Sequence, residues 1–386
     1  MDASRQQGPQ LPQNLAYSHG KPPLASPPLV LGFASTQGPG PPPLLDNGNV
    51  DLTDSNHYSG IRTFANLPYV NCFSNRDAKD HKYDIAILGA PHDTTTTGRP
   101  GARYGPSGIR TGSQRKGPEW SIYTGRNPLA DWATVVDCGD AHLTWLDSRV
   151  SLQRLDKAHE VLAGRRAANA SVSATPRILT LGGDHTTTLS ALRSTGPVSV
   201  IHFDSHIDTW DPAVLGGDIS DYAALNHGTF LHVAHEERLI LDSSVHAGVR
   251  APLVRRKGAL RNDARCGFAV VTARDIDALG VQGVVSRIRE RVGDSLVYIS
   301  VDIHVLDPAF APGTGTAEPG GWSTRELLAI LDGLEGLPVV GADVVEVAPA
   351  YDTNGEITVL AAAEIAYSLV DLMVFRPVES KADNGK

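Results

Sequence analysis

Cysteine is scarce in this chain. Three occur in 386 residues, Cys72, Cys138 and Cys266, odd in number and far apart. That pattern suggests neither a disulfide framework nor a paired-cysteine metal site, and it favours a reducing compartment, the cytoplasm. Cys138 is expected to be buried and inert. No run of 18 or more apolar residues occurs, so no membrane-spanning helix is expected. The apolar stretch near Leu360 to Phe375 is interrupted by Glu364 and Asp371 and reads as a packed amphipathic helix. No basic stretch followed by an apolar core opens the chain, so no secretory leader is expected. Basic residues are outnumbered, 34 against 43 acids, for a formal net charge of −9. A nucleic-acid binder is usually basic, so neither nucleic acid nor a membrane is an expected partner. The acidity suits a small cationic substrate instead. No internal repeat is visible.

What is present is ordinary globular composition, 41% hydrophobic and 20% charged. Ten of the 26 prolines fall before Leu44, with Gln, Gly and Ser between them. Such a segment cannot bury enough apolar surface to offset its chain entropy, so residues 1–55 read as a disordered Pro-rich arm. A single domain is expected over residues 56–380. From Tyr83 onward, short Val, Ile and Leu runs alternate with helical stretches. Strands are predicted at 84–88, 134–137, 177–181, 198–204, 244–249, 268–272, 295–302 and 339–347. Helices are predicted at 152–170, 185–192, 275–292, 324–334 and 356–375. Ser323 or Thr324 caps the fourth of these. Unbroken apolar strands between helices predict an α/β fold with a mostly parallel sheet covered on both faces. In such sheets ligands bind beyond the carboxyl ends of the strands.

Two acid–histidine clusters sit at predicted strand ends. One is His202-Phe203-Asp204-Ser205-His206-Ile207-Asp208, and the other is Asp302-Ile303-His304 with Asp307 and Pro308 just beyond. Strand alternation lets Asp204, His206 and Asp208 converge, and likewise Asp302 and His304. Carboxylates and imidazoles gathered in this way are donors for a two-cation site. Gly182-Gly183-Asp184-His185 would add an imidazole.

These segments resemble the ureohydrolase family of arginases and agmatinases. The stretches Arg99–Pro106, Asn226–Phe230, Pro308–Gly321 and Val345–Asp352 extend the likeness in family order over roughly residues 60 to 375, and they look more like the agmatinase branch. The resemblance implies a three-layer α/β/α sandwich with about eight strands, and a trimer or hexamer. It also implies a binuclear site, most often of Mn²⁺, that hydrolyses a guanidinium to urea and an amine. Carried over, one metal takes His185, Asp204, Asp208 and Asp302. The other takes Asp204, His206, Asp302 and the side chain at position 304. A hydroxide between the metals attacks the guanidinium carbon. Asp208 orients it and passes a proton to the leaving amine. His227 resembles the family's proton-shuttling histidine, and Glu346 the carboxylate that pairs with the guanidinium. Asp352 is either a second substrate contact or the cap of the helix beginning near Asn354.

One departure stands out. The family's second cluster reads Asp-x-Asp, and here it reads Asp302-Ile303-His304. Three carboxylates and three neutral imidazoles carry −3 where the family's set carries −4. A hard ion such as Mn²⁺ is then disfavoured at the second position relative to Ni²⁺, Co²⁺ or Zn²⁺. The alternative is a catalytically weakened homologue that binds a metal or ligand or serves in an oligomer. A single-zinc deacetylase on a related fold is a third reading. His92 also departs from the usual Phe and would alter substrate choice if its loop borders the entrance. Arg99 and Arg103 read as structural or interface residues, and Asp307 as a local cap or hydrogen-bond acceptor.

Overall fold

The computed structural model describes residues 57–378 apart from positions 174, 218 and 221. The predicted arm over residues 1–55 lies outside the described residues. Eight strands form one sheet: β1 (Ile85–Gly89), β2 (Val135–Asp140), β3 (Arg177–Leu181), β4 (Ser199–Phe203), β5 (Ser244–Val249), β6 (Phe268–Thr272), β7 (Val297–Asp302) and β8 (Val339–Val345). Their order is β2-β1-β3-β8-β7-β4-β5-β6. Every pairing is parallel. Nine α-helices accompany them among the described residues: α1 (Asn75–Asp80), α2 (Gly105–Gly112), α3 (Ser148–Ala163), α4 (Thr187–Thr195), α5 (Phe230–Glu236), α6 (Arg256–Arg265), α7 (Asp275–Val292), α8 (Thr324–Gly333) and α9 (Ile357–Phe375).

Alternation along the strands builds the two inner layers. Ile85, Ile87, Leu179, Leu181, Ile201 and Phe203 pack with α7, α8 and α9. Ala86, Leu88 and Ile178 pack with α3, and Val198 and Val200 with α4 and α5. The three-layer expectation holds, and all eight strands lie where the apolar runs put them. Ser323 caps α8 in a reciprocal capping box with Glu326. Asp352 caps α9: its carboxylate accepts from the amides of Thr358 and Val359 and from the Thr358 hydroxyl.

Three expectations need correction. First, α9 is not amphipathic. Fourteen of its 19 residues are buried, so it is a core helix enclosed by α2, α8 and the sheet. Its two carboxylates are paired: Asp371 takes both forks of Arg126, and Glu364 meets Lys116. Second, Cys138 is not inert, because it is bridged to Cys72 across 66 residues with Cα atoms 5.4 Å apart. Only a fold can show that approach, since spacing says nothing of distance. The cysteine count therefore no longer argues for a reducing compartment; Cys266 is free and buried. Third, α3 starts at Ser148, where Asp147 caps it, and stops at Ala163, well short of residue 170.

Candidate metal centre

The four middle strands, β3, β8, β7 and β4, deliver the acid–histidine groups at their carboxyl ends. His185 follows β3, Asp204, His206 and Asp208 follow β4, Asp302 ends β7 with His304 just beyond, and Glu346 follows β8. Gly183 makes the β3 loop possible. A Cβ there would strike the backbone of His92, whose carbonyl accepts from the Asp184 amide at 2.6 Å.

All six predicted metal-binding side chains come together. His185 Nδ1 lies 3.1 Å from Asp208 Oδ2, 3.0 Å from Asp302 Oδ2 and 3.6 Å from Asp204 Oδ2. His206 Nδ1 lies 3.2 Å from Asp204 Oδ1, and His304 Nδ1 lies 2.8 Å from Asp302 Oδ1 and 3.9 Å from Asp204 Oδ1. Two donors at about 2.1 Å from one ion are about 3.0 Å apart at a right angle and about 3.4 Å apart in a tetrahedron. Most of these separations match. Asp204 and Asp302 each turn one oxygen toward His185 and the other toward His304, as a bridging carboxylate must.

Hydrogen bonds set the imidazole tautomers. Ser300 Oγ donates to Asp343 Oδ1 at 2.6 Å, so it accepts from His185 Nε2 at 2.8 Å. In the neutral ring, the form that binds a metal, the lone pair of His185 is then on Nδ1, toward the carboxylates. Thr314 Oγ1 donates to the Glu346 carbonyl at 2.8 Å, so it accepts from His304 Nε2 at 2.6 Å. His304 likewise presents an Nδ1 lone pair. His185 Nδ1, His304 Nδ1 and Asp204 Oδ2 are buried without a hydrogen-bond partner. Buried polar atoms are seldom left so, and a cation would satisfy all three. The donor set therefore fits a pair of divalent ions.

The electrostatics favour cations throughout. Burial opposes a charge on His185, but Asp204, Asp208 and Asp302 outweigh it and hold its pKa well above the usual value. His206 is only partly buried, and Asp204 raises it to about 10 against the cost of that burial. Burial, with Asp204 beside it, pushes Asp208 upward. Asp204 is held well below the usual carboxylate range: burial opposes this, and the surrounding histidines, His206 first, prevail.

The three residues assigned to the chemistry are adjacent. His227 Nδ1 lies 3.0 Å from Glu346 Oε1, and burial is outweighed by that carboxylate, which raises His227 to about 9. In its neutral form the ring accepts the Thr97 amide at Nε2 (3.1 Å), which places its hydrogen on Nδ1. Glu346 Oε1 also accepts from the His185 amide at 2.9 Å. Its Oε2 makes no hydrogen bond among the described residues. Asp208 and Glu346 both have left-handed backbones, with φ of 47° and 63°. Such conformations cost roughly 1–3 kcal/mol each and persist where surrounding structure enforces them.

His92 does not border an entrance. It is buried, bonds Ser151 at 3.0 Å and supports the Gly183 loop. Arg103 pairs with Asp93, and Arg99 donates to the carbonyls of Thr314 and Gly315, so both are structural as expected. Asp307 accepts from the amides of Ala309, Gly320 and Gly321. Sequence reading gave no role to Ser300, which opens the second cluster, and missed Asp343; together they orient His185. Both look like ordinary strand positions, and only the β7–β8 register aligns them.

A family model described as the arginase family matches residues 83–371. The chain belongs to the arginase family. A Schizosaccharomyces pombe protein named "Putative agmatinase 1" is 48% identical over 83% of this chain and 84% of its own length. An agmatinase of Neisseria meningitidis is 38% identical over 75% of this chain and 87% of its own. The solved structure of proclavaminate amidino hydrolase from Streptomyces clavuligerus matches with a TM-score of 0.72 at 36% identity, over 83% of this chain and 99% of that one. The ureohydrolase likeness of the motifs is thus borne out, and the eight-stranded parallel sheet is the arginase fold.

Proposed function

We propose that this arginase-family chain hydrolyses a guanidino C–N bond, releasing urea and an amine from an agmatine-like or guanidino-acid substrate. The observation that carries the reading is the set of buried donor atoms without partners, divided between two positions that share Asp204 and Asp302. Relatives named agmatinase support the substrate class. His185, Asp204, Asp208 and Asp302 would hold one divalent ion, and Asp204, His206, Asp302 and His304 the other. When bound, the ions supply a water of lowered pKa and a positive field at the guanidinium carbon. Mn²⁺ suits the family, while His304 shifts the second position toward Ni²⁺, Co²⁺ or Zn²⁺.

The chain's own groups do the rest. Glu346 Oε2 accepts from the planar guanidinium and orients it, while Oε1 is occupied by His185 and His227. Asp208 would accept the proton taken from the attacking water and pass it to the leaving amine. His227, protonated at Nδ1 toward Glu346, exchanges protons with solvent through its partly open side. A homo-oligomer, trimer or hexamer, is part of the same reading, and exposed Trp120, Ile122 and Tyr123 offer it an apolar surface.

The test is urea release from a panel of guanidino compounds, with the protein reconstituted in Mn²⁺, Ni²⁺, Co²⁺ or Zn²⁺ and its metal content counted. Two ions per chain and urea from a panel member are expected. Folded protein giving no urea with any metal would move the reading to the weakened homologue. His304 lies in bonding position beside Asp302, which favours the active enzyme.

A further inference from the structure

A histidine pair lies behind Asp204, and none of the roles above uses it. His202 on β4 and His246 on β5 are register partners, both fully buried, with Nδ1 atoms 2.8 Å apart. Two like nitrogens can bond only if one carries the hydrogen and the other the lone pair. Asp263 decides which. Its Oδ1 lies 2.9 Å from His246 Nε2 and accepts from the Thr209 hydroxyl at 2.6 Å. A carboxylate only accepts, so the His246 hydrogen is on Nε2 and the lone pair of a neutral ring is on Nδ1. The hydrogen between the two rings therefore belongs to His202, and the lone pair of His202 is on Nε2.

That Nε2 atom is buried without a partner, 3.5 Å from Asp204 Oδ2, which is also without one. Its ring lies 4.8 Å from that of His185. His185, His202, Asp204 and Asp208 each offer a donor atom within 4.8 Å of the others. The separations of Asp204 Oδ2 from His202 Nε2 and His185 Nδ1, 3.5 and 3.6 Å, are close to the edge of about 3.4 Å between donors around a tetrahedral ion.

We propose that His202 is a further nitrogen donor to the first metal position, its lone pair aimed by His246 and Asp263. The inference rests on the binuclear reading above. Its consequence is a first position richer in nitrogen than the motifs imply. Together with His304, this turns the whole site toward Co²⁺, Ni²⁺ and Zn²⁺.

Cobalt is the probe, because its visible absorption reports the donor set. Full-length protein and two variants, His202→Phe and His246→Phe, are titrated with Co²⁺, with bound metal counted and affinity measured by competition against a chelator. His246→Phe keeps an aromatic ring stacked on Phe268, where the centroids are now 4.0 Å apart. The wild type is expected to bind two ions. His202→Phe is expected to weaken one of them by more than about tenfold and to change the cobalt bands, and His246→Phe to move both in the same direction by less. If His202→Phe does not fold, the His246→Phe spectrum decides. Unchanged affinity and bands in folded variants, beside a wild type with two ions, would reduce His202 to a packing residue and leave the binuclear site intact. A wild type that takes up no Co²⁺ would overturn the binuclear reading and this inference with it.

Discussion

The space between α3 and β3 and the loop beyond the carboxyl end of β3 each bury a histidine completely. His159, on α3, has both nitrogens engaged. Nδ1 donates to the Leu155 carbonyl at 3.1 Å and Nε2 accepts from the Thr180 hydroxyl at 3.0 Å. Burial pushes its pKa down to about 4, and nothing more is asked of it. His185 has one nitrogen fixed by Ser300 and leaves the other without a hydrogen-bond partner among carboxylates. Burial does not separate a scaffold histidine from a ligand; the account of its two nitrogens does. By that measure His202 and His304 belong with His185.

The contrast can be broken at several points. The largest effect is expected from Asp302→Asn, because its two oxygens serve both positions. Metal content should fall below two ions and urea release by more than about 100-fold, beyond what loss of an outer-shell partner costs. Two retained ions would erase the distinction. Ser300→Ala should weaken one ion by about 10- to 100-fold in chelator competition, by releasing His185 from its tautomer. His159→Leu should leave metal content alone and cost about 1–3 kcal/mol in denaturant unfolding, because it strands a buried hydroxyl. His304→Asp should raise Mn²⁺ affinity and Mn²⁺-dependent rate, roughly tenfold; no change in either would remove His304 from the ligand set. The smallest effect concerns Asp93. Against opposing burial, Arg103 and the Gly101 amide lower its pKa. A depressed carboxylate contributes stability above its unfolded value, about 3.9, and loses it as pH falls through the lower folded value. Asp93→Asn should therefore destabilise at pH 7 and approach the wild type at low pH in paired unfolding curves.

The strands and the ligand motifs were legible because each is local. β3, β5 and β6 have the predicted bounds, since unbroken Val, Ile and Leu runs state double-sided burial within five or six residues. Four helices were not read. α2 contains three glycines and a proline, and α6 buries only Ala259 and Asp263, so neither shows an apolar period. α1 and α5 are too short to show one. The six side chains expected to bind metal do converge, but the residues that orient them were not read. Asp343, His246 and Asp263 act from neighbouring strands and a distant helix, and no spacing rule connects residues 202, 246 and 263. The bridge from Cys72 to Cys138 was missed for the same reason. His92 was tied to substrate choice only on condition that its loop bordered the entrance, and the residue itself is packed under Gly183.

That bridge has a bearing on how the protein behaves in company. β2 is an outer strand of the sheet, and such a margin offers unpaired amides and carbonyls to any passing chain. Here residues 68–72 lie along it: the Asp137 amide donates to the Pro68 carbonyl, the Val70 amide donates to the Asp137 carbonyl, and Cys72 is fastened to Cys138. The bridge thus adds a covalent tie to a cover otherwise held along that margin by two backbone hydrogen bonds.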